Sequence, residues 1–245
     1  MIDLRLLRHF VRQLARGKRF WGMAALSSVT GFIAWISSID ETDQDIAEIF
    51  HIVTATVAGA TISIAFLVIG AATLRDERDA GTLPFIFMKP IARWRWATSA
   101  WAAAAIVSFA VGVVGWLVGF VAMGMTTGSW TLAIPALGLY AAAAVGYTAV
   151  FVPLGYLFTR AILVGLAYVF VWEGIITFFV TGLSASSVWR TAMSVYADLA
   201  ELPRDALDAL GPVVPGVGGG VLKLIGTVVV GVGALTWALR RRDAL

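Results

Sequence analysis

Two ionisable residues, Glu173 and Lys223, stand inside or at the edge of otherwise apolar stretches. A charge in hydrocarbon is costly enough to make each a functional candidate by default. Glu173 is suited to bind a cation or a proton, or to pair with Lys223 across a helix bundle. The structural alternative places Glu173 where its helix turns at Gly174 and lets Lys223 extend its ammonium to the headgroups. A second constellation, Gly182-Leu183-Ser184-Ala185 with His51, has the residue types of a serine nucleophile and its base. Such chemistry needs the histidine held beside the serine by further groups. Nothing in the sequence supplies them, and a small-residue loop is the better reading. No G-x-x-x-x-G-K-S/T phosphate loop and no H-E-x-x-H pair occur, so nucleotide binding of the usual kind has no sequence basis. The histidines, His9 and His51, are far apart, and cysteine is absent, which removes thiolate metal sites and disulfides. We expect no catalysis, metal or cofactor from this chain alone.

Composition sets the elements that must carry these residues. The 245 residues are 60% hydrophobic and 13% charged, with a mean hydropathy of +0.87. That is too little polar surface to cover a water-soluble globule. Six apolar runs are long enough for helices that cross about 30 Å of hydrocarbon: Phe20 to Ile39, Ile49 to Leu74, Trp96 to Met125, Leu132 to Phe158, Ala161 to Thr181 and Val221 to Leu239. The expected fold is all-α and polytopic, a single membrane domain over residues 1–245 with no internal repeat. No cleavable signal is visible, so the first span is expected to direct its own insertion.

At about 100° per residue, Arg5, Arg8, Arg12, Arg16 and Arg19 fall within roughly 80° of one another. Leu4, Leu7, Phe10, Val11 and Leu14 lie opposite. Residues 1–19 therefore read as an amphipathic helix lying in a headgroup layer. Between residues 182 and 220, Arg190, Asp198, Glu201 and Arg204 interrupt the apolar pattern, which suggests short interfacial helices. Placing the termini and basic loops together puts 15 of the 18 Lys and Arg on one side. The positive-inside rule then puts both termini in the cytoplasm of a multi-pass protein of the cell membrane. The basic excess records orientation and implies no nucleic-acid partner. Trp21, Trp94, Trp96, Trp130 and Trp237 mark span ends, whereas Trp101, Trp116 and Trp172 lie deeper. Gly112, Gly115 and Gly119, like Gly138, Ala142 and Gly146, permit close helix approach, within the chain or in an oligomer.

Residues 75–95 form the densest charged connection. Asp76-Glu77-Arg78-Asp79 suits the first turn of a short helix, Gly81 permits a turn, and Leu83 to Met88 supplies an apolar patch before Pro90, Arg93 and Arg95. The order Glu77-x-x-x-Gly81-Thr82-Leu83, then Pro90-Ile91-x-Arg93, closely resembles the loop after the second span of ABC-2 type ABC transporter permeases. The resemblance extends to the N-terminal "elbow" helix, the six-span plan, and Tyr168-x-x-x-Trp172-Glu173-Gly174 before re-entrant helices on the extracytoplasmic side. One departure is at Ser99-Ala100, where a Gly-Lys pair is often found.

The resemblance implies a transport subunit of an ATP-driven exporter. Two copies would form the pathway, and the charged loop would be a coupling helix docked on a separate P-loop ATPase subunit, which binds ATP and Mg. It assigns Glu77, Gly81, Thr82, Leu83, Phe85 and Phe87 to the ATPase contact, and Arg5, Arg8 and Arg12 to orienting the elbow in membrane lipid. The alternative is an ion-coupled carrier or channel without an ATPase, using Glu173 and Lys223. A third reading is an assembly or signalling scaffold. An apolar interior favours lipids, hydrophobic drugs or amphipathic peptides as substrate without separating them.

Overall fold

Helix starts and stops follow local chemistry. The structure, a computed structural model, describes residues 2–39, 43–79, 81, 91–128, 130–180, 183, 186–202 and 216–242. Asp3 caps the first helix, its carboxylate accepting from the N–H groups of Arg5 and Leu6 at 3.0 and 3.4 Å, amides that otherwise lack a partner. This helix, α1 (Leu4–Ala15), buries Leu6, Phe10 and Leu14. It is shorter than expected: Arg16 is its C-cap, and Gly17 is the N-cap of α2 (Lys18–Ser37). Arg19 thus belongs to α2 rather than to the amphipathic helix.

The largest correction concerns α3 (Asp43–Asp79). Asp76 to Asp79 are its last turn, not the first turn of a separate helix, so the charged connection begins later than residue 75. Acidic groups oppose the dipole at a helix C-terminus, but here they are paired. Arg75 donates to Asp79 at 3.2 Å, one turn on, and Arg19 grips both oxygens of Asp76 at 2.8 and 2.7 Å. The described chain leaves helical geometry by Gly81, whose φ of 68° is easy only for glycine.

Next come α4 (Arg93–Thr127), closed by Gly128 at φ 71°, and α5 (Ile134–Leu157), with Pro135 in its first turn. Helix α6 is composite: α-helical over Ala161–Ala167, π-helical over Tyr168–Ile176, and α-helical again over Thr177–Phe179. Ser187 caps α7 (Val188–Leu199), accepting from Arg190 N–H at 3.1 Å. Helix α8 (Gly216–Arg242) starts five residues before the expected Val221.

All regular structure among the described residues is helical. Five helices there are long and apolar enough to cross a membrane: Lys18–Ser37, Ile46–Asp79, Arg93–Thr127, Ile134–Leu157 and Gly216–Arg241. The expected fifth span corresponds to a shorter apolar helix, Ala161–Ile176. Helix α5 is central, packed against α3, α4, α7 and α8. At one end of the bundle Leu6, Phe10, Leu74, Trp96, Tyr156 and Leu239 form a core; at the other Ala34, Ile46, Phe50, Met123 and Ala133 do.

The small-residue stripes are used within the chain. A Cβ on Gly31 would stand 2.7 Å from the Gly119 Cα, so α2 and α4 meet backbone to backbone. Gly112 abuts Tyr140, Gly115 abuts Ser27, Gly138 abuts Leu199, and Gly146 abuts Val188 and Leu224. These glycines are therefore no argument for an oligomer.

Candidate functional site

The charged end of α3 is held from three directions. His9 Nε2 on α1 lies 2.9 Å from Glu77 Oε1, and the Glu77 side chain is only 9% exposed. The α2 side chain of Arg19 forks Asp76, and Arg78 donates to the Tyr156 carbonyl at 3.0 Å. That carbonyl belongs to the last turn of α5, where a cation also complements the helix dipole. Exposed ion pairs contribute about 0–1 kcal/mol each. Their value here is geometric, because they tie α1, α2 and α5 to the end of α3.

Several expected docking residues can be placed. Glu77 is turned toward His9 of α1. Gly81 is exposed, its amide bonded to the Arg78 carbonyl at 3.1 Å. Thr82, Leu83, Phe85 and Phe87 lie outside the described residues. Arg5, Arg8 and Arg12 line one open groove with His9, Gln13 and Arg16, as their shared helical face requires.

The second site surrounds Glu173. Its Oε1 accepts from Tyr168 Oη at 3.1 Å and from the amides of Val188 and Trp189 at 2.8 and 3.4 Å. Its Oε2 accepts from Tyr147 Oη. The Val188 and Trp189 amides are the first two of α7, which otherwise lack helical partners, so the carboxylate joins α5, α6 and α7. The π-helical register makes this possible. Its bonds run from residue i to i+5, which brings Tyr168 and Glu173 onto one face. Phe151 stacks on Tyr147 with centroids 5.4 Å apart, fixing the phenol.

Lys223 is half-buried on α8 and makes no ion pair among the described residues; its carbonyl accepts from Thr227 at 3.0 Å. Glu173 and Lys223 are therefore not brought together as a pair. His51 Nδ1 lies 2.6 Å from Tyr196 Oη on α7. Burial pushes that phenol above its ordinary range, so it stays protonated, and the His51 tautomer decides which of the two donates. Gly182, Ser184 and Ala185 lie outside the described residues. The sequence reading singled out Glu173 but missed Tyr147 and the α7 amides as its partners. A signal existed in Ser187, a good N-cap residue just before Trp189, Met193, Tyr196 and Leu199 recur at helical spacing.

A family model described as "Multidrug efflux system permease Rv1217c, C-terminal domain" matches residues 14–237. No curated protein matches the chain significantly.

Proposed function

This chain belongs to the family of the multidrug efflux system permease Rv1217c, C-terminal domain, and on that premise we propose that it is the membrane subunit of an ATP-driven exporter of the ABC-2 type. It is a multi-pass membrane permease. In the proposed complex two copies form the pathway, and a separate P-loop ATPase, carrying ATP and Mg, docks on the loop after α3. Both termini then face the cytoplasm, because Arg5, Arg8, Arg12, Arg75, Arg93, Arg95, Arg240 and Arg241 share one end of the bundle.

The observation that carries this reading is the locked end of α3. A partner pushing on residues beyond Asp79 pushes on α1 through Glu77, α2 through Asp76 and α5 through Arg78. Glu77 then transmits rather than touches; Gly81 and the residues after it make the contact. Purification of the tagged chain from its native membrane in mild detergent, with mass spectrometry of whatever accompanies it, tests the proposal. A P-loop ATPase at comparable stoichiometry is the expected outcome.

One observation favours a second reading, an ion-coupled carrier: Glu173 is a carboxylate within an apolar helix. It predicts transport that follows an ion gradient, needs no ATPase and is lost in Glu173→Gln.

A further inference from the structure

Between α4 and α8, at the end of the bundle that holds α1, lies an open groove of about 530 Å³. Its walls are Trp94, Trp101, Val229, Val232 and Trp237, and Arg240 stands on its edge. The polar atoms of the walls are turned away. Trp101 Nε1 donates to the Val145 carbonyl of α5 at 3.3 Å. Thr98 and Thr236, which also line the groove, bond carbonyls of their own helices at 2.9 and 2.7 Å. What remains is hydrocarbon and indole face. At Gly233 the floor is open: a Cβ there would meet nothing within 4 Å.

The rim has the opposite character. Arg95 lies over the Trp94 ring at 5.5 Å, and Arg241 over Trp237 at 4.2 Å. Arg95, Arg240 and Arg241 have no carboxylate partner among the described residues. Tryptophan and arginine together mark headgroup depth, so the slot lies at acyl-chain depth, with Arg240 in its lining and Arg95 and Arg241 stacked on two of its wall tryptophans. The matching ligand has a long apolar chain and a negative head. A cationic amphiphile would be repelled, and a zwitterionic lipid would bring its own positive group to the same rim. Basic pockets between membrane helices hold anionic headgroups in this way.

We propose that the groove between α4 and α8 binds one anionic phospholipid, with an acyl chain between Trp101 and Gly233 and the phosphate on Arg240, flanked by Arg95 and Arg241. The test is native mass spectrometry of the full chain in detergent, titrated with phosphatidylglycerol and, separately, with phosphatidylcholine. About 1 kcal/mol per basic residue near an anionic surface is about a fivefold preference each. Phosphatidylglycerol is therefore expected to bind at least about fivefold more tightly, and Arg240→Gln with Arg241→Gln to bring the two lipids to within about twofold of each other. Gly233→Phe, whose Cβ meets nothing within 4 Å, places a ring in the slot and is expected to weaken both lipids about tenfold while the melting temperature holds. A preference unchanged by the arginine variants, or occupancy unchanged by Gly233→Phe, would mean only unspecific annular lipid and overturn the proposal. A lipid-free dimer that Gly233→Phe breaks would also overturn it, by assigning the groove to a second copy.

Discussion

Replacing Glu173 with alanine removes the one acceptor shared by α5, α6 and α7. Val188 is 3% exposed and Tyr147 fully buried, so water cannot readily take over their bonds. Each buried donor left without a partner costs about 1–3 kcal/mol. Taking about 2 kcal/mol for each gives about 4 kcal/mol for the pair. In a chain of this size a loss of 1 kcal/mol lowers the melting temperature by about 2–4 °C, so Glu173→Ala should melt about 8–16 °C early. Intrinsic tryptophan fluorescence in detergent is a suitable readout, with size-exclusion chromatography confirming that the starting material is folded. Glu173→Gln keeps one acceptor oxygen and should lose about half as much. Tyr147→Phe in the alanine background removes one orphaned donor while keeping the ring, so it should recover about 4–8 °C. A Glu173→Ala protein melting within about 2 °C of the parent, or no recovery on adding Tyr147→Phe, would refute the idea that the carboxylate joins these helices.

Three further outcomes are expected. Gly31→Leu forces a side chain into the Gly119 backbone and should cost about 3 kcal/mol or more; Gly22→Leu on the same helix, where a Cβ meets nothing within 4 Å, should leave the melting temperature unchanged. Arg19→Ala removes an exposed pair and should change stability by less than about 1 kcal/mol, yet lower substrate-stimulated ATP turnover of the proposed complex several-fold; turnover equal to the parent's would remove Asp76 from the coupling route. Gly81→Val disfavours a φ of 68° by about 1–2 kcal/mol, and should lower the melting temperature by no more than about 8 °C while weakening capture of the ATPase in a pull-down.

Spans α2, α4, α5 and α8 were legible because hydrocarbon thickness imposes both a length and a composition. Their ends were less so. Composition marks where a chain leaves lipid, whereas a helix stops only at a breaker. Asp76 to Asp79 stay helical because Arg19, His9 and Arg75 bond their carboxylates, and Gly216 to Gly220 stay helical despite five residues that include four glycines. Glu173 could be found by its cost in lipid, but its partners could not. Tyr147 is 26 residues away, and Tyr168 is five residues away, a spacing that an α-helix turns through about 140° and only the π register aligns. The glycine stripes announced close approach without naming what approaches. Ser27, Gly31, Tyr140 and Leu199 are identified only by three-dimensional packing.

Helix α3 runs without interruption for 37 residues, about 55 Å at 1.5 Å per residue. One end holds Glu77 against α1; near the other, His51 meets Tyr196 of α7. A member of this length is a lever. Pivoted at its charged end, a tilt of about 5° carries His51, about 39 Å along the helix from Glu77, through about 3 Å. In the proposed complex, movement of α7 would need no relay of side chains handing a displacement from one to the next; angular motion at Asp76 to Asp79 would become linear travel where His51 meets α7.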